Sequence, residues 1–488
     1  MPIRSKIRSF SYTTIIYGFS SLLTKIVALV LIPLYTNYLS VHEVGIFALF
    51  EMLELFILSL VPLGSINAMW RYLPGLKDYE KNKMIISCFT LLIISGLIVV
   101  TLFNLFEESF INSLDLYGAE KSVFNLFLIA CFLRVSSNFM YWLLQYENRA
   151  FLYLILSLIQ FLSLIILNIF FITKCNYGII AIFYSKIIVF IGLFVLTIIK
   201  LFYSNLTIPS LNTIKKLLSY GMPMLPLILL TPFLNFSDRY FLKIFCSIED
   251  VGKYSIAYKF GMLINMFLVV PVQRSWGPQM FQVGIDSKEN EKIHRDIAFY
   301  YSFVGLFIFL GLSLFSERLL IIFSNVNYQS VSWIIPWISL AYFIGGFRVF
   351  LQASASISDR TDLFIKTGIY SMISNLILNF ILIKNFGISG AVTSTVLSYF
   401  ILVVLLFLTS KSIGNIKWPV KKFFHSSLIV IILILCSKSI GELNLHYNLL
   451  IDALMLILFP LVSIFTKLIG KKELQGLKNI LKTIFNKL

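Results

Sequence analysis

SYTTIIYGFSSLLTKIVALVLIPLY, residues 11–35, follows Arg4, Lys6 and Arg8 and carries one charge, Lys25, along its whole length. A helix rises about 1.5 Å per residue, so a run of this length crosses the roughly 30 Å of a bilayer's hydrocarbon core. It is too long for the apolar core of a signal peptide, and no small-residue cleavage site follows it. The run therefore reads as a retained signal anchor. Lipid offers no hydrogen-bond partners to a backbone, so a spanning run of this kind is helical.

The same pattern recurs to the end of the chain. Hydrophobic residues make up 58% of the 488, aromatic residues 16% and charged ones 13%; soluble domains carry roughly 25% charged residues. Apolar runs predict fourteen helices over 11–35, 44–68, 84–106, 122–144, 150–173, 178–200, 214–236, 253–273, 297–315, 331–352, 363–383, 387–409, 423–440 and 447–469. The chain reads as an all-α polytopic membrane protein. Its longest expected loop, Gly277 to Asp296, is too short to hold a soluble domain. That counts against a membrane polymerase or ligase, which needs room for acid and base groups over its substrate.

The net charge of +17 suggests nucleic acid in a soluble protein, but here it belongs to loops. The N-terminus, the loops after even-numbered helices and the C-terminal tail hold 27 Lys and Arg, whereas the opposite loops hold 8. Both ends are then expected in the cytoplasm, with no nucleic-acid partner. The remaining five cations lie inside helices. Cys88, Cys131, Cys175, Cys246 and Cys436 are scattered without a CxxC pair, so neither a metal site nor a disulfide framework is indicated. No GxxxxGK[ST] signature is present, which argues against ATP hydrolysis as the energy source.

The chain also repeats itself. Tyr17-Gly18 and Glu43-Val44-Gly45 recur as Tyr220-Gly221 and Asp250-Val251-Gly252 at offsets of 203 and 207. Asn148-Arg149, Leu167-Asn168 and Tyr177-Gly178-Ile179 recur as Asp359-Arg360, Leu378-Asn379 and Phe386-Gly387-Ile388 at 211, 211 and 209. Six helices separate the copies, so both enter the membrane in the same direction. This is a parallel repeat of the transporter type. The expected plan is a six-helix lobe over 1–205, a second over 206–410, and two further helices with a basic tail over 411–488. Prolines punctuate several helices (Pro33, Pro62, Pro223, Pro226, Pro232, Pro271, Pro336), most densely in the seventh. They are either tolerated kinks or a bending gate.

With these residues in view, the chain resembles the Wzx-type polysaccharide flippases of the multidrug/oligosaccharidyl-lipid/polysaccharide superfamily. The matching stretches are Pro33-Leu34-Tyr35-Thr36-Asn37-Tyr38-Leu39-Ser40 into Glu43-Val44-Gly45, and Ser237-Asp238-Arg239 with Asp250-Val251-Gly252-Lys253-Tyr254-Ser255. The third is Asn379-Phe380-Ile381-Leu382-Ile383 into Phe386-Gly387-Ile388-Ser389-Gly390-Ala391. The resemblance runs through the chain in order and includes the plan of six, six and two helices. It implies a non-enzymatic flippase of the bacterial inner membrane, without a cofactor. The implied cargo is oligosaccharide on undecaprenyl pyrophosphate, moved to the periplasmic leaflet for O-antigen, lipopolysaccharide or capsule assembly, with other polysaccharide assembly proteins as partners. A cation-coupled multidrug exporter of the same superfamily is the alternative, although such exporters usually have twelve helices.

Ionisable groups at bilayer depth are costly and so are the candidate site. Lys25, Arg134, Lys186, Lys259 and Arg348 are the expected substrate-binding cations, because phosphate suits a lysine charge and, better, the planar fork of an arginine. Arg134-Val135 and Arg348-Val349 match at an offset of 214. Glu51 and Glu54, three residues apart on one helix face, are coupling or gating candidates, as are Asp238 and Arg239 near a helix end. The competing readings are buried pairs of Glu51 or Glu54 with Lys25 or Lys259, and snorkelling of Arg348, Lys186 and Arg239 to the interface. His42, His294, His425 and His446 read as surface residues. No catalytic residue is expected.

Overall fold

A computed structural model describes residues 26–113, 120–203, 207–284, 287–353, 357, 362–413, 418–440, 445–466 and 468. Among them there is no strand. The spanning helices are α1 (Ile26–Tyr38), α2 (Val41–Tyr72), α3 (Asp78–Leu105), α4 (Glu120–Tyr146), α5 (Ala150–Thr173), α6 (Ile180–Tyr203) and α7 (Leu225–Phe245). They continue as α8 (Ile248–Phe281), α9 (Lys288–Leu314), α10 (Ile334–Leu351), α11 (Asp362–Leu378), α12 (Lys384–Ile413), α13 (Val420–Ser439) and α14 (Leu445–Phe465). Eleven stretches are long and apolar enough to cross a membrane. One of them, Lys366–Lys411, contains two spans that meet at Gly387, whose φ of 57° and ψ of −132° break the helix. Together with the shorter Ile26–Tyr38 and with Leu225–Phe245 they give fourteen membrane-segment helices among the described residues of a polytopic, all-α membrane protein.

Two expected boundaries move. The segment 214–236 is not one helix: Leu211–Gly221 is amphipathic, a 3₁₀ turn at Met222–Met224 follows, and α7 then runs nine residues past 236. Pro223 and Pro226 supply no N–H to a helix ladder, so the chain breaks where they cluster. The expected loop 277–296 is mostly helix, because α8 and α9 project their charged ends past the apolar segments that hydropathy detects. Other prolines mark breaks as well. Pro62 precedes Leu63 and Gly64, at φ 49° and 67°, between Leu60 and Ser65 in α2, and Pro271 follows a π turn over Asn265–Val269 in α8.

Two compact units are distinguished. The first comprises 1–259 with 323–328 and 368–398. In it Phe50 of α2, Phe124 and Phe127 of α4 and Phe183 of α6 form one aromatic cluster with ring centroids 4.7–6.4 Å apart. Lipid tails are as apolar as these rings, so the cluster is held by close packing rather than by escape from water. Small residues allow the closest approaches. A Cβ on Gly45 of α2 would collide with the Ile248 carbonyl of α8, and one on Gly252 would collide with the Val41 carbonyl. Positions 41 and 45 are the repeat equivalents of 248 and 252, so the two helix starts cross through matched residues.

The second unit comprises 260–322, 329–367 and 399–488. Tyr301 of α9 stacks on Phe343 of α10 and donates to its carbonyl at 2.7 Å. Arg318, just past α9, pairs with Asp452 of α14, whose other oxygen accepts from Ser437 of α13 at 2.5 Å. That charge pair attaches the last two helices. His294, expected at the surface, is fully buried: Nε2 lies 3.0 Å from the Gly284 carbonyl, with the ring edge-on to Trp276. The helix ends around it extend beyond the apolar segments and cover it.

Candidate functional site

Phe47, Glu51 and Glu54 fall at i, i+4 and i+7 on α2 and so form one stripe. Three other helices each bring a cation to it. Lys186 of α6 donates to Glu54 at 2.7 Å, and Arg134 of α4 pairs with the other Glu54 oxygen at 2.8 Å. Lys259 of α8 meets Glu51 at 2.9 Å. The Lys186 and Lys259 ammonium groups both lie over the Phe47 ring, at 5.4 and 5.2 Å. Five of the candidate residues are thus one cluster. It holds three cations against two carboxylates, an excess of one positive charge among the described residues.

Exposure within the cluster is graded. The Glu54 side chain is 3% exposed and Lys186 14%, whereas Arg134 keeps 32%. Removing a charge from water costs several kcal/mol unless it is paired, which explains why the deepest carboxylate takes two cations. Arg134 uses one nitrogen on Glu54, its guanidinium lies 5.8 Å from the Phe190 ring, and its side chain stays partly exposed. Snorkelling does not describe Lys186, because its Nζ points at a buried carboxylate. The expected pairing of Glu51 with Lys259 is present. Lys25 lies outside the described residues.

Asp238 and Arg239 are not near a helix end. Because α7 extends to Phe245, they sit in its interior and are buried, so Arg239 does not snorkel either. Asp238 accepts from the Tyr254 hydroxyl at 2.5 Å. Arg239 donates to Ser255 at 3.0 Å and stacks on Phe236 and Tyr258 at 4.6 and 4.7 Å. One residue earlier, Ser237 donates to Asn375 at 2.9 Å and accepts from Asn379 at 3.1 Å, and Asn375 reaches Ser398 of α12 at 3.0 Å. This second assembly is rich in neutral hydrogen bonds, and the oxygens of Ser371, Asn379 (Oδ1) and Ser394 are buried there without a hydrogen-bond partner.

Arg348, the repeat mate of Arg134, is half-buried on α10 in the other unit. No carboxylate among the described residues pairs with it. No cluster of His, Cys, Asp and Glu fit for a metal ion occurs among the described residues.

Some of the repeated landmarks act as braces, while Tyr17-Gly18 and Asp359-Arg360 lie outside the described residues. Ser40 caps α2 in a capping box with Glu43, whose carboxylate also accepts from the Ile179 N–H at 3.2 Å. Gly178, at φ 55°, turns the chain into that contact in a conformation that costs glycine little. Tyr35 of α1 donates to Asn168 of α5 at 3.0 Å, while Asn379, its repeat mate, bonds Ser237 of α7. His42 and Glu249, also repeat equivalents, lie 2.9 Å apart. Tyr35, Ser237 and Asn375 were not singled out by the sequence as site residues. The repeated Leu-Asn pair was the available signal.

Comparison with known proteins follows the same lines. The profile described as "Polysaccharide biosynthesis protein" matches residues 12–283, more than half of the chain. A curated relative, the probable low-salt glycan biosynthesis flippase Agl15 of Haloferax volcanii, is 23% identical over 208 residues. That alignment spans 41% of this chain and 43% of the relative, so the chain spans less than half of its length. Among solved structures, a lipid II flippase MurJ in an inward closed conformation has a TM-score of 0.73 at 19% identity, covering 93% of this chain and 99% of that one. An inward-facing MATE family multidrug resistance transporter of the MOP superfamily has a TM-score of 0.64 at 15% identity, covering 80% and 94%. At these identities the two structures speak for the fold.

Proposed function

Because the chain belongs to the polysaccharide biosynthesis protein family, we propose that it is a flippase for lipid-linked oligosaccharide. The cargo in this reading is built on undecaprenyl pyrophosphate and crosses from the cytoplasmic to the periplasmic leaflet of the bacterial inner membrane, feeding O-antigen or capsule assembly. The observation that carries the reading is the stripe on α2, where cations from three helices gather at bilayer depth with one positive charge in excess. A pyrophosphate head has to shed water to cross, and a bare phosphate charge in hydrocarbon is prohibitive. Arg134 replaces that water with a fork of donors, and Lys186 and Lys259 add point charges. Glu51 and Glu54 keep the cations paired while no head is bound. Arg348 and Lys25 remain further candidate cations for the head, proposed from the sequence alone.

The halves 1–205 and 206–410 would alternate between states open to one side and to the other, with 411–488 added to the second. Head binding has to be balanced between those states, or the substrate would not leave. Asp238, held by Tyr254 beside unpartnered oxygens, is the proposed coupling carboxylate for a proton or cation, with Arg239 as its neighbour. The test is a deletion strain. Lipid-linked oligosaccharide should accumulate on the cytoplasmic side and surface polysaccharide should disappear while the sugar is still assembled. Normal surface polysaccharide with new sensitivity to cationic drugs would instead establish the exporter reading.

A further inference from the structure

The landmark Tyr220-Gly221 takes no part in the stripe. A Cβ on Gly221 would collide with the Leu63 carbonyl, and one on Gly64 with the Gly221 carbonyl, so the break in α2 and the end of Leu211–Gly221 cross backbone to backbone. Ser87 of α3 accepts from the Ser210 N–H at 3.0 Å and fixes the start of the same segment. Four side chains project from this crossing in alternation. The Arg71 guanidinium lies 4.7 Å over the Tyr220 ring, Tyr220 meets Tyr72 edge-on at 5.9 Å, and the Lys216 ammonium lies 4.3 Å over Tyr72. Arg71 and Lys216 are exposed, and no carboxylate among the described residues pairs with either.

We propose that the ladder Arg71–Tyr220–Tyr72–Lys216 binds the phosphate of an anionic phospholipid headgroup. An aromatic face holds a cation in place without neutralising it, so both charges stay available to an anion. The rigid backbone crossing holds them on one ladder. The anion is a lipid's because the ladder ends the span Val41–Tyr72, where headgroups lie, and exposed Trp70 and Met222 beside it suit the region between headgroup and chain. Anionic headgroups attract such cations, and Lys215 adds to the field. The face is the one that the charge bias assigns to the cytoplasm. The bound headgroup would join Arg71 and Tyr72 to Lys216 and Tyr220, and so fix the crossing. None of this depends on what the protein transports.

The test counts lipids retained by the purified full-length protein in native mass spectrometry, after exposure to phosphatidylglycerol or phosphatidylcholine. The wild type should retain phosphatidylglycerol at concentrations about thirtyfold lower than phosphatidylcholine. At about 1 kcal/mol per cation, Arg71→Gln and Lys216→Gln should each weaken that preference about fivefold. Lys411→Ala, an exposed cation elsewhere, should leave it unchanged. Either Gln variant keeps the test informative if the other fails to fold. Undiminished preference in the Gln variants overturns the proposal. So does capture of undecaprenyl pyrophosphate that phosphatidylglycerol cannot displace, which would assign the site to a carrier lipid.

Discussion

The stripe on α2 and the network around α7 are both buried polar assemblies, yet they are built from different chemistry. On α2 a buried carboxylate draws two cations from neighbouring helices, and a second pair lies beside it. Around α7 one Asp and one Arg are adjacent, and serine, asparagine and tyrosine do the bridging. The braces recur at matched positions: Asn168 ties α5 to α1, and Asn379 ties α11 to α7. Long-range charge dominates one assembly and short-range hydrogen bonding the other, so they should fail differently.

The largest effect is expected at Glu54. Glu54→Gln leaves Arg134 and Lys186 buried against a neutral group, a loss of about 3–5 kcal/mol. The thermal midpoint of the purified protein should fall sharply, and Glu54→Gln combined with Lys186→Met should recover part of the loss. A Glu54→Gln protein as stable as the wild type would remove the electrostatic distinction between the assemblies.

Arg134→Gln should separate function from stability. Its exposed part carries the proposed contact with cargo, so surface polysaccharide should fall at least about tenfold, the equivalent of roughly 1.4 kcal/mol, at unchanged protein level. Arg134→Lys should restore only part, because a point charge replaces a fork. A collapse of protein level in both variants would make Arg134 a packing residue.

Asn168→Leu and Asn379→Leu test the shared part of the comparison. Hydrogen bonds between membrane helices average about 0.6 kcal/mol, so each should lower the thermal midpoint modestly. Asn379 bonds both Ser237 and Asn375, so its replacement should cost more. Equal effects would mean that the braces, not the network, carry the energy. The smallest charge effect belongs to Lys259→Met: Glu51 is 25% exposed against 3% for Glu54, so water compensates for the lost partner.

Several readings of particular residues explain what was legible. The eleven long apolar stretches were, because hydrocarbon demands about 20 apolar residues per crossing, and Ala150–Thr173 appears with the expected ends. The seventh helix was not, because amphipathic Leu211–Gly221 merges with α7 in any hydropathy window. That shift put Asp238 and Arg239 at an apparent helix end. Lys186 looked like a snorkelling lysine because its counter-ion, Glu54, is 132 residues away.

By itself the sequence determined that this chain is a helical, polytopic membrane protein, and which charged residues interrupt its apolar runs. Each follows from local physics, since the solvation cost of an apolar run or a buried charge depends on the residues themselves. Only the tertiary structure decided which cation meets which carboxylate, that Glu54 takes two and Arg348 none among the described residues, and that the repeated Glu-Val-Gly and Tyr-Gly-Ile landmarks join as braces. Pairing energies act over a few ångströms, between side chains that only the packing of separate helices brings together.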